Sequence, residues 1–299
     1  MRILVLGGTG YLGRHVAERL RALPGAQVLA AGRSAGAGLG ADLARDRPER
    51  LAETLAAAAP DAVVNCAGAT GGDPVTLAEV NARGPAALCA ALCAAAPTAR
   101  LVHLGSAAEY GPGTPGVKVT ESAPACPVAP YGATKLAGTL AVTSAPLDAV
   151  VLRIGNPVGP GAPAASLPGR LAALLRPAGR DPEAVLRLGD LSAHRDFVDV
   201  RDVARAVERA VTAPAPLPRV LNIGGGTAVP VRELAHGLAR HAGFRGRLEE
   251  SAGGSARSAR VSWQCSDISA AARALDWRPA HSLDDALATL WAATGERVP

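Results

Sequence analysis

Short apolar runs alternate with longer, alanine-rich segments of helical period through the first half of this chain. "RILVLG" is followed by "YLGRHVAERLRAL", "QVLAAG" by "RPERLAETLAAAAP", and "DAVVNCAG" by "LAEVNARGPAALCAALCAAAP". "RLVHLGS", a helix opened by Tyr131, and "LDAVVLRIG" continue the series. Such alternation predicts βαβ units, because strands can pair in parallel only when a crossover carries the chain back between them. The strand runs are continuously apolar, as burial on both faces requires. The expected fold class is therefore α/β, a Rossmann-like doubly wound parallel sheet.

After residue 155 the pattern loosens into "GNPVGPGAPAASLPG", a helix "RLAALLRPAG" and a strand-like "AVLRLGD". "DFVDVRDVARAVERAV" and "RVLNIGGG" read as a return to the sheet, and "VRELAHGLARHAG" as a second departure. The expected division is a dinucleotide-binding domain over residues 1–155, with return segments about 196–228, and a smaller interleaved C-terminal substrate lobe over 156–195 and 229–299. The stretch "SAGGSARSAR" (251–260) is the one low-complexity segment and reads as a loop.

Composition narrows the class. With 48% hydrophobic residues and no apolar run of bilayer length, the chain reads as a globular protein with no membrane partner. "MRILVLGGTG" runs straight into a strand and glycine loop without the features of a signal peptide, so a cytoplasmic setting is expected. The five cysteines, Cys66, Cys89, Cys93, Cys126 and Cys265, include no CxxC, and there is no HExxH, so no metal is expected. The net charge of +5 raises the question of nucleic acid, but the arginines are spread evenly and aromatics are 3%. An anionic small molecule accounts for the charge without a nucleic-acid partner.

Gly7, Gly10 and Gly13 in "GGTGYLG" stand between the first strand and the first helix. Small residues there let backbone approach a pyrophosphate whose charge meets the helix amides. The expected cofactor contacts are Gly7, Thr9, Gly10, Tyr11, Leu12 and Gly13, with Cys66, Ala67 and Gly68 of "NCAG". The second strand ends in "AAGRSAG", where Arg33 and Ser34 replace the carboxylate that would bind a ribose diol. NADP(H) is thereby favoured over NAD(H), the plain alternative being that Arg33 is a solvated loop arginine. Arg14 offers a second cation, and Asp42 with Leu43 falls where a loop could cap the adenine.

In "APYGATKLAG", Tyr131 and Lys135 share one helical face. An ammonium beside a phenol favours the phenolate and makes it a better proton donor or acceptor near neutral pH. "HLGSAAEYG" puts Ser106 at a strand's C-terminal end, where open α/β sheets bind ligands and a hydroxyl can hold the oxygen that Tyr131 protonates.

Taken in order, "GGTGYLG", "NCAG", "LGSAAEYG", "PYGATK", "LRIGNPVGPG", "RDFVDVRDVARA", "LNIGGG" and "LDWRP" resemble the motifs of the extended short-chain dehydrogenase/reductases, the NAD(P)-dependent sugar-nucleotide epimerase/dehydratase family. The resemblance implies that Tyr131 is the acid/base, that Lys135 also holds the nicotinamide ribose, and that Ser106 binds the substrate oxygen. It implies substrate contacts from Asn156, Arg195 and Arg257, although the proline usual after the last is missing. Where 4,6-dehydratases of the family carry Thr-Asp-Glu, this chain has Ser106, Ala107 and Ala108, so water elimination is not expected. Glu109 falls one place too late to replace those carboxylates and reads as a loop residue. The likeness is strongest to reductases of nucleotide-linked 4-keto-6-deoxyhexoses, of the GDP-4-keto-6-deoxymannose type. The expected activity is thus NADPH-dependent reduction of a 4-keto nucleotide sugar. A sugar-nucleotide epimerase, a ketoreductase of a non-sugar natural product and a dinucleotide-sensing module remain as alternatives. The helix carrying Tyr131 and the one over 74–96 are expected to form the contact of a homodimer, as in many members of the family.

Overall fold

From Ile3 onward β1 (Arg2–Leu6) is buried, and the chain passes through the glycine loop into α1 (Tyr11–Arg21). The computed structural model describes residues 1–33, 37–251 and 261–295. Next come β2 (Gln27–Gly32), β3 (Leu39–Gly40), α2 (Pro48–Ala58), β4 (Ala62–Asn65), α3 (Pro74–Ala78) and α4 (Gly84–Ala95). β5 (Arg100–Ser106), α5 (Pro130–Ser144), β6 (Ala149–Ile154), β7 (Asn156–Val158), α6 (Leu167–Ala178) and β8 (Val185–Leu188) follow. The chain continues through β9 (His194–Asp199), α7 (Val200–Thr212), β10 (Val220–Ile223), β11 (Ala228–Pro230), α8 (Val231–His241), β12 (Arg247–Glu250), α9 (Ser269–Leu275) and α10 (Leu283–Gly295).

Seven strands form one parallel sheet in the order β10-β6-β5-β4-β1-β2-β3. The chain builds outward from β1 through β2 and β3, then crosses back to β4 and builds the other way. This reversal opens a crevice at the C-terminal ends of β1 and β4, the place where open α/β sheets bind ligands. The Rossmann-like doubly wound sheet read from the apolar alternation is the fold observed. Alternate residues of each strand feed opposite faces: Ile3, Val5, Val102 and Leu152 enter one core cluster, while Leu4, Leu6, Leu101 and Val151 enter the other.

A third cluster joins Val158, Leu171 and Leu175 to Leu234, Leu238, Leu287 and Leu290. Beside it β9 pairs in parallel with β7 and antiparallel with β11, and β12 pairs with β8. β9 leads through α7 back to β10 at the sheet edge. Residues 269–277, read from the sequence as part of the smaller lobe, instead contribute Ala271, Leu275 and Trp277 to a sheet-face cluster. The reason is local: Trp277 is buried and its indole N–H donates to the Asp202 carbonyl at 3.0 Å. The Asp202 carboxylate accepts from the backbone N–H groups of Ala280 and His281, which pins "LDWRP" onto α7.

The long helix expected over "LAEVNARGPAALCAALCAAAP" is interrupted. A π-helical turn, Glu79–Arg83, separates α3 from α4. Pro85 has no N–H to donate to the Asn81 carbonyl and its ring would crowd that oxygen, so the backbone widens ahead of it.

Candidate active site

Gly7 adopts φ +74°, and a Cβ there would stand 2.7 Å from the Ala67 nitrogen, so the glycine loop lies directly on the chain leaving β4. A Cβ at Gly13 would collide with the Gly7 carbonyl, which explains why α1 starts so close beneath the loop. Gly10 caps α1 with no side chain, and the first turn holds no acidic residue. These open amides and the small-residue cradle fit a dinucleotide pyrophosphate. Thr9, in the loop before Gly10, and Leu12, in the first turn of α1, flank that cradle. Tyr11 points away from it: its hydroxyl donates to the Gly159 carbonyl at 3.4 Å, and burial raises its pKa above the ordinary phenol range. Arg14 reaches the Gly161 carbonyl at 3.5 Å, so it ties α1 to the loop after β7.

Arg33 follows directly on β2, at the end of the strand beside the glycine loop. Ser34 lies outside the described residues. Asp42 accepts from the Ala44 N–H at 3.0 Å, while Leu43 is buried in a sheet-face cluster with its carbonyl accepting from Arg83. Leu43 is thus held by packing, and Asp42 is the more open of the two.

At the "NCAG" segment, Asn65 Oδ1 accepts from the Ala67 N–H at 3.1 Å and its amide contacts His103 Nδ1 at 3.1 Å. Burial holds His103 well below the usual imidazole range, so it is neutral. Burial likewise pushes the Cys66 thiol up to about 12, so it too is uncharged. Asn81, in the π turn, accepts from the Ala69 N–H at 2.9 Å and donates to the Ala69 carbonyl at 2.8 Å. It also donates to Thr134 at 3.3 Å and so links the loop after β4, through Gly68 and Ala69, to α5. The sequence reading missed Asn81; its signal was the proline four residues on, which marks a break in an otherwise regular helix.

Tyr131 and Lys135 stand one turn apart in α5. A Cβ at Gly132 would collide with the Ala108 carbonyl, so the start of α5 presses on the turn that follows Ser106. Lys135 is buried, and its amine donates to the Leu104 carbonyl at 2.6 Å. Burial, the largest influence, lowers its pKa to about 8, against the opposing pull of Glu109 and Cys66. Ser106 ends β5 and its hydroxyl accepts from the Ala108 N–H at 3.2 Å. The structure thus brings Ser106, Tyr131 and Lys135 to the end of one strand.

Glu109 is not a loop carboxylate. It is fully buried, accepting from the Ser106 N–H at 2.7 Å and from Arg153 Nε at 2.7 Å. Arg153 also lies 4.4 Å from the centre of the Tyr110 ring.

Asn156 donates to the Asp196 carbonyl at 3.3 Å and meets Gln264 at 3.5 Å; Gln264 in turn donates to the Ala107 carbonyl at 2.8 Å. Gln264, unremarked in the sequence, therefore joins Asn156 to the turn after Ser106. Arg195 is buried and donates to the His194 carbonyl at 2.8 Å, but among the described residues it makes no ion pair. A desolvated guanidinium without a carboxylate suits an anionic ligand. Arg257 lies outside the described residues.

Such a sheet, glycine loop and Ser/Tyr/Lys set define an extended short-chain dehydrogenase/reductase. The model of the NAD dependent epimerase/dehydratase family matches residues 3–224, and the chain belongs to that family. It is 39% identical to a dTDP-6-deoxy-L-talose 4-dehydrogenase (NAD(P)(+)) of Kitasatospora kifunensis, across 98% of this chain and 95% of that one. RMD from Pseudomonas aeruginosa, solved with NADPH, shares the fold at TM-score 0.86 and 24% identity, with 99% of each chain covered. A UDP-glucose 4-epimerase of Thermus thermophilus, solved with NAD, aligns over 100% of both chains at TM-score 0.83 and 26% identity. Among the described residues, no helix is long and apolar enough to cross a membrane.

Proposed function

We propose that the protein reduces the 4-keto group of a nucleotide-linked 4-keto-6-deoxyhexose, with NADPH as the preferred cofactor. The observation that carries this reading is the likeness, over nearly the whole of both chains, to a 4-dehydrogenase of a dTDP-linked 6-deoxyhexose. Oxidation at C4 run backwards is reduction of the 4-keto sugar. Ala107 and Ala108 support it further, because neither can serve as the acid or base that water elimination needs.

Residues Gly7, Gly10 and Gly13 and the open amides of α1 would hold the pyrophosphate, Arg33 a 2′-phosphate, and Lys135 the nicotinamide ribose. When bound there, the cofactor would supply a hydride to the sugar C4. Tyr131 gives its phenolic proton to the carbonyl oxygen, so that the ketone becomes a hydroxyl group. Ser106 hydrogen-bonds the same oxygen and favours the negative charge that gathers there. Lys135 stabilises the phenolate left on Tyr131, which is then reprotonated from solvent. Arg195 and Asn156, in the lobe over 156–195 and 229–299, would hold the nucleotide sugar, the arginine at its phosphates. Exposed Leu140 on α5 and Val75 on α3 support a homodimer through those helices.

Nicotinamide absorbance tests the reading, with NADPH or NADH and a panel of dTDP-, GDP- and UDP-linked 4-keto-6-deoxyhexoses. Stoichiometric NADPH loss with one of these sugars is the expected result, abolished in Tyr131→Phe while NADPH binding persists. A sugar isomer formed without net cofactor loss would make the protein an epimerase. Near-normal turnover by Tyr131→Phe would remove the tyrosine from its role.

A further inference from the structure

No step of the proposed reaction uses Glu109, yet it is the most enclosed carboxylate near Ser106 and Lys135. It closes the short 3-10 turn Ala107–Glu109 and is fully buried. One oxygen holds the Ser106 N–H and the other holds Arg153. Its place is prepared by the sequence, since a Cβ at Gly105 would stand 2.8 Å from Glu109 Oε1.

Lys135 is a further buried charge beside this turn, and its amine donates to the neutral carbonyl of Leu104. The groups around it come from every neighbouring element. Cys66, after β4, and His103, on β5, are both neutral by burial. Arg153 on β6 is held by Glu109, and the Tyr110 hydroxyl donates to Asn222 at 2.7 Å. Tyr131 lies one turn away on α5 itself. In the π turn, Glu79 and Arg83 are exposed, with Arg83 bonded to the carbonyls of Leu43 and Ala44. Glu109, which holds the Ser106 N–H two residues along β5 from the Leu104 carbonyl that Lys135 holds, is left among these groups as the buried negative charge beside the ammonium.

We infer that Glu109 is a positioning residue, fixing the backbone of Ser106 while supplying the buried counter-charge that keeps Lys135 an ammonium beside Tyr131. The inference rests on the roles proposed above for Ser106, Tyr131 and Lys135. Without Glu109, Arg153 would lose its buried ion-pair partner and Lys135 the negative charge acting on it, and the lysine is the one of the two able to lose a proton.

The chain contains two lysines, Lys118 and Lys135, so labelling lysine with carbon-13 at Cε yields two resonances that can be titrated without any ligand. Lys135→Met assigns them. In Glu109→Gln the Lys135 midpoint should fall by about one pH unit while Lys118, exposed on the surface, holds its wild-type value. Should Glu109→Gln fail to fold, the double variant Glu109→Leu/Arg153→Met replaces the buried pair by apolar side chains, an exchange that proteins often tolerate. Its Lys135 midpoint should also fall. An unmoved Lys135 midpoint in the folded variant overturns the inference. The same variants assayed for NADPH-dependent reduction should lose turnover at a correspondingly lower pH, with the KM for NADPH within about twofold of wild type. A midpoint that moves while the rate profile stays put supports the coupling of Glu109 to Lys135 and instead overturns the role given to Lys135 in the reaction.

Discussion

Lys135 Nζ donates a 2.6 Å hydrogen bond to the carbonyl of Leu104, so a buried cation ties the helix of Tyr131 to the strand that ends in Ser106. Burial lowers the lysine from 10.5 to about 8. The folded state therefore holds this proton less tightly than the unfolded chain does. Burying the charge costs stability below pH 8, and the cost is relieved as pH rises toward 10.5. A shift of this size corresponds to on the order of 3 kcal/mol at neutral pH. Lys135→Met should consequently lose turnover by about a hundredfold or more, yet unfold at a urea concentration no lower than wild type at pH 7. A clearly lower midpoint would mean that the ammonium stabilises the fold.

The same proton sets a limit on the rate. Tyr131 must leave a phenolate behind when it protonates the substrate, and an uncharged Lys135 no longer stabilises it. Turnover in the reducing direction, measured at saturating NADPH, should fall as pH rises through about 8. A rate flat to pH 10 would place the controlling ionisation elsewhere.

The alternation of apolar runs was sufficient to read the doubly wound parallel sheet, though not its two-residue edge strand β3 nor the placing of β9 in a separate sheet, and the glycine spacing was sufficient to read the loop on which Ala67 rests, because both depend on local pattern. The short β7, β11 and β12 follow from pairing between distant segments and leave no periodicity of their own. Likewise, Tyr131, Lys135 and Ser106 could be found from motifs, whereas Glu109, Asn81 and Gln264 could not. Each of those three owes its place to a partner far along the chain or on another element: Arg153 for Glu109, Ala69 and Thr134 for Asn81, Ala107 for Gln264. A glutamate next to a tyrosine in a turn looks like solvent-facing chain until the strand beside it shows an arginine.

Arg33 decides between the two nicotinamide dinucleotides if it meets the 2′-phosphate. Arg33→Ala should raise the KM for NADPH about tenfold and leave that for NADH within about twofold. Equal effects on the two cofactors would reduce Arg33 to a general attraction for anions.

Arg195 is a buried guanidinium whose pKa is lowered by burial. Removing a desolvated charge that has no carboxylate partner among the described residues should not harm the fold. Arg195→Met is expected to match or exceed wild type in thermal stability, while the KM for the nucleotide sugar rises roughly tenfold to a hundredfold. Loss of stability without a change in that KM would make Arg195 a packing residue.

Asp196 joins three segments of chain. Its carboxylate is fully buried and accepts from the N–H groups of Gly226 and Ser266, each at 3.0 Å, while its carbonyl accepts from Asn156. A Cβ at Gly224 would collide with the same carboxylate, so "NIGGG" is shaped around it. Burial raises the Asp196 pKa above the usual carboxylate value, against the N–H groups that lower it. The ionised form is therefore disfavoured relative to the unfolded chain, and any stability tied to this group declines as pH rises through its folded pKa. Asp196→Asn keeps the shape but turns an amide NH₂ toward a backbone N–H, which leaves one donor unpaired. That variant should lose about 2 kcal/mol in urea unfolding, with a raised KM for the nucleotide sugar through Asn156. Stability equal to wild type would show that a protonated Asp196 already serves in the native protein, because the neutral acid and the amide would then differ little.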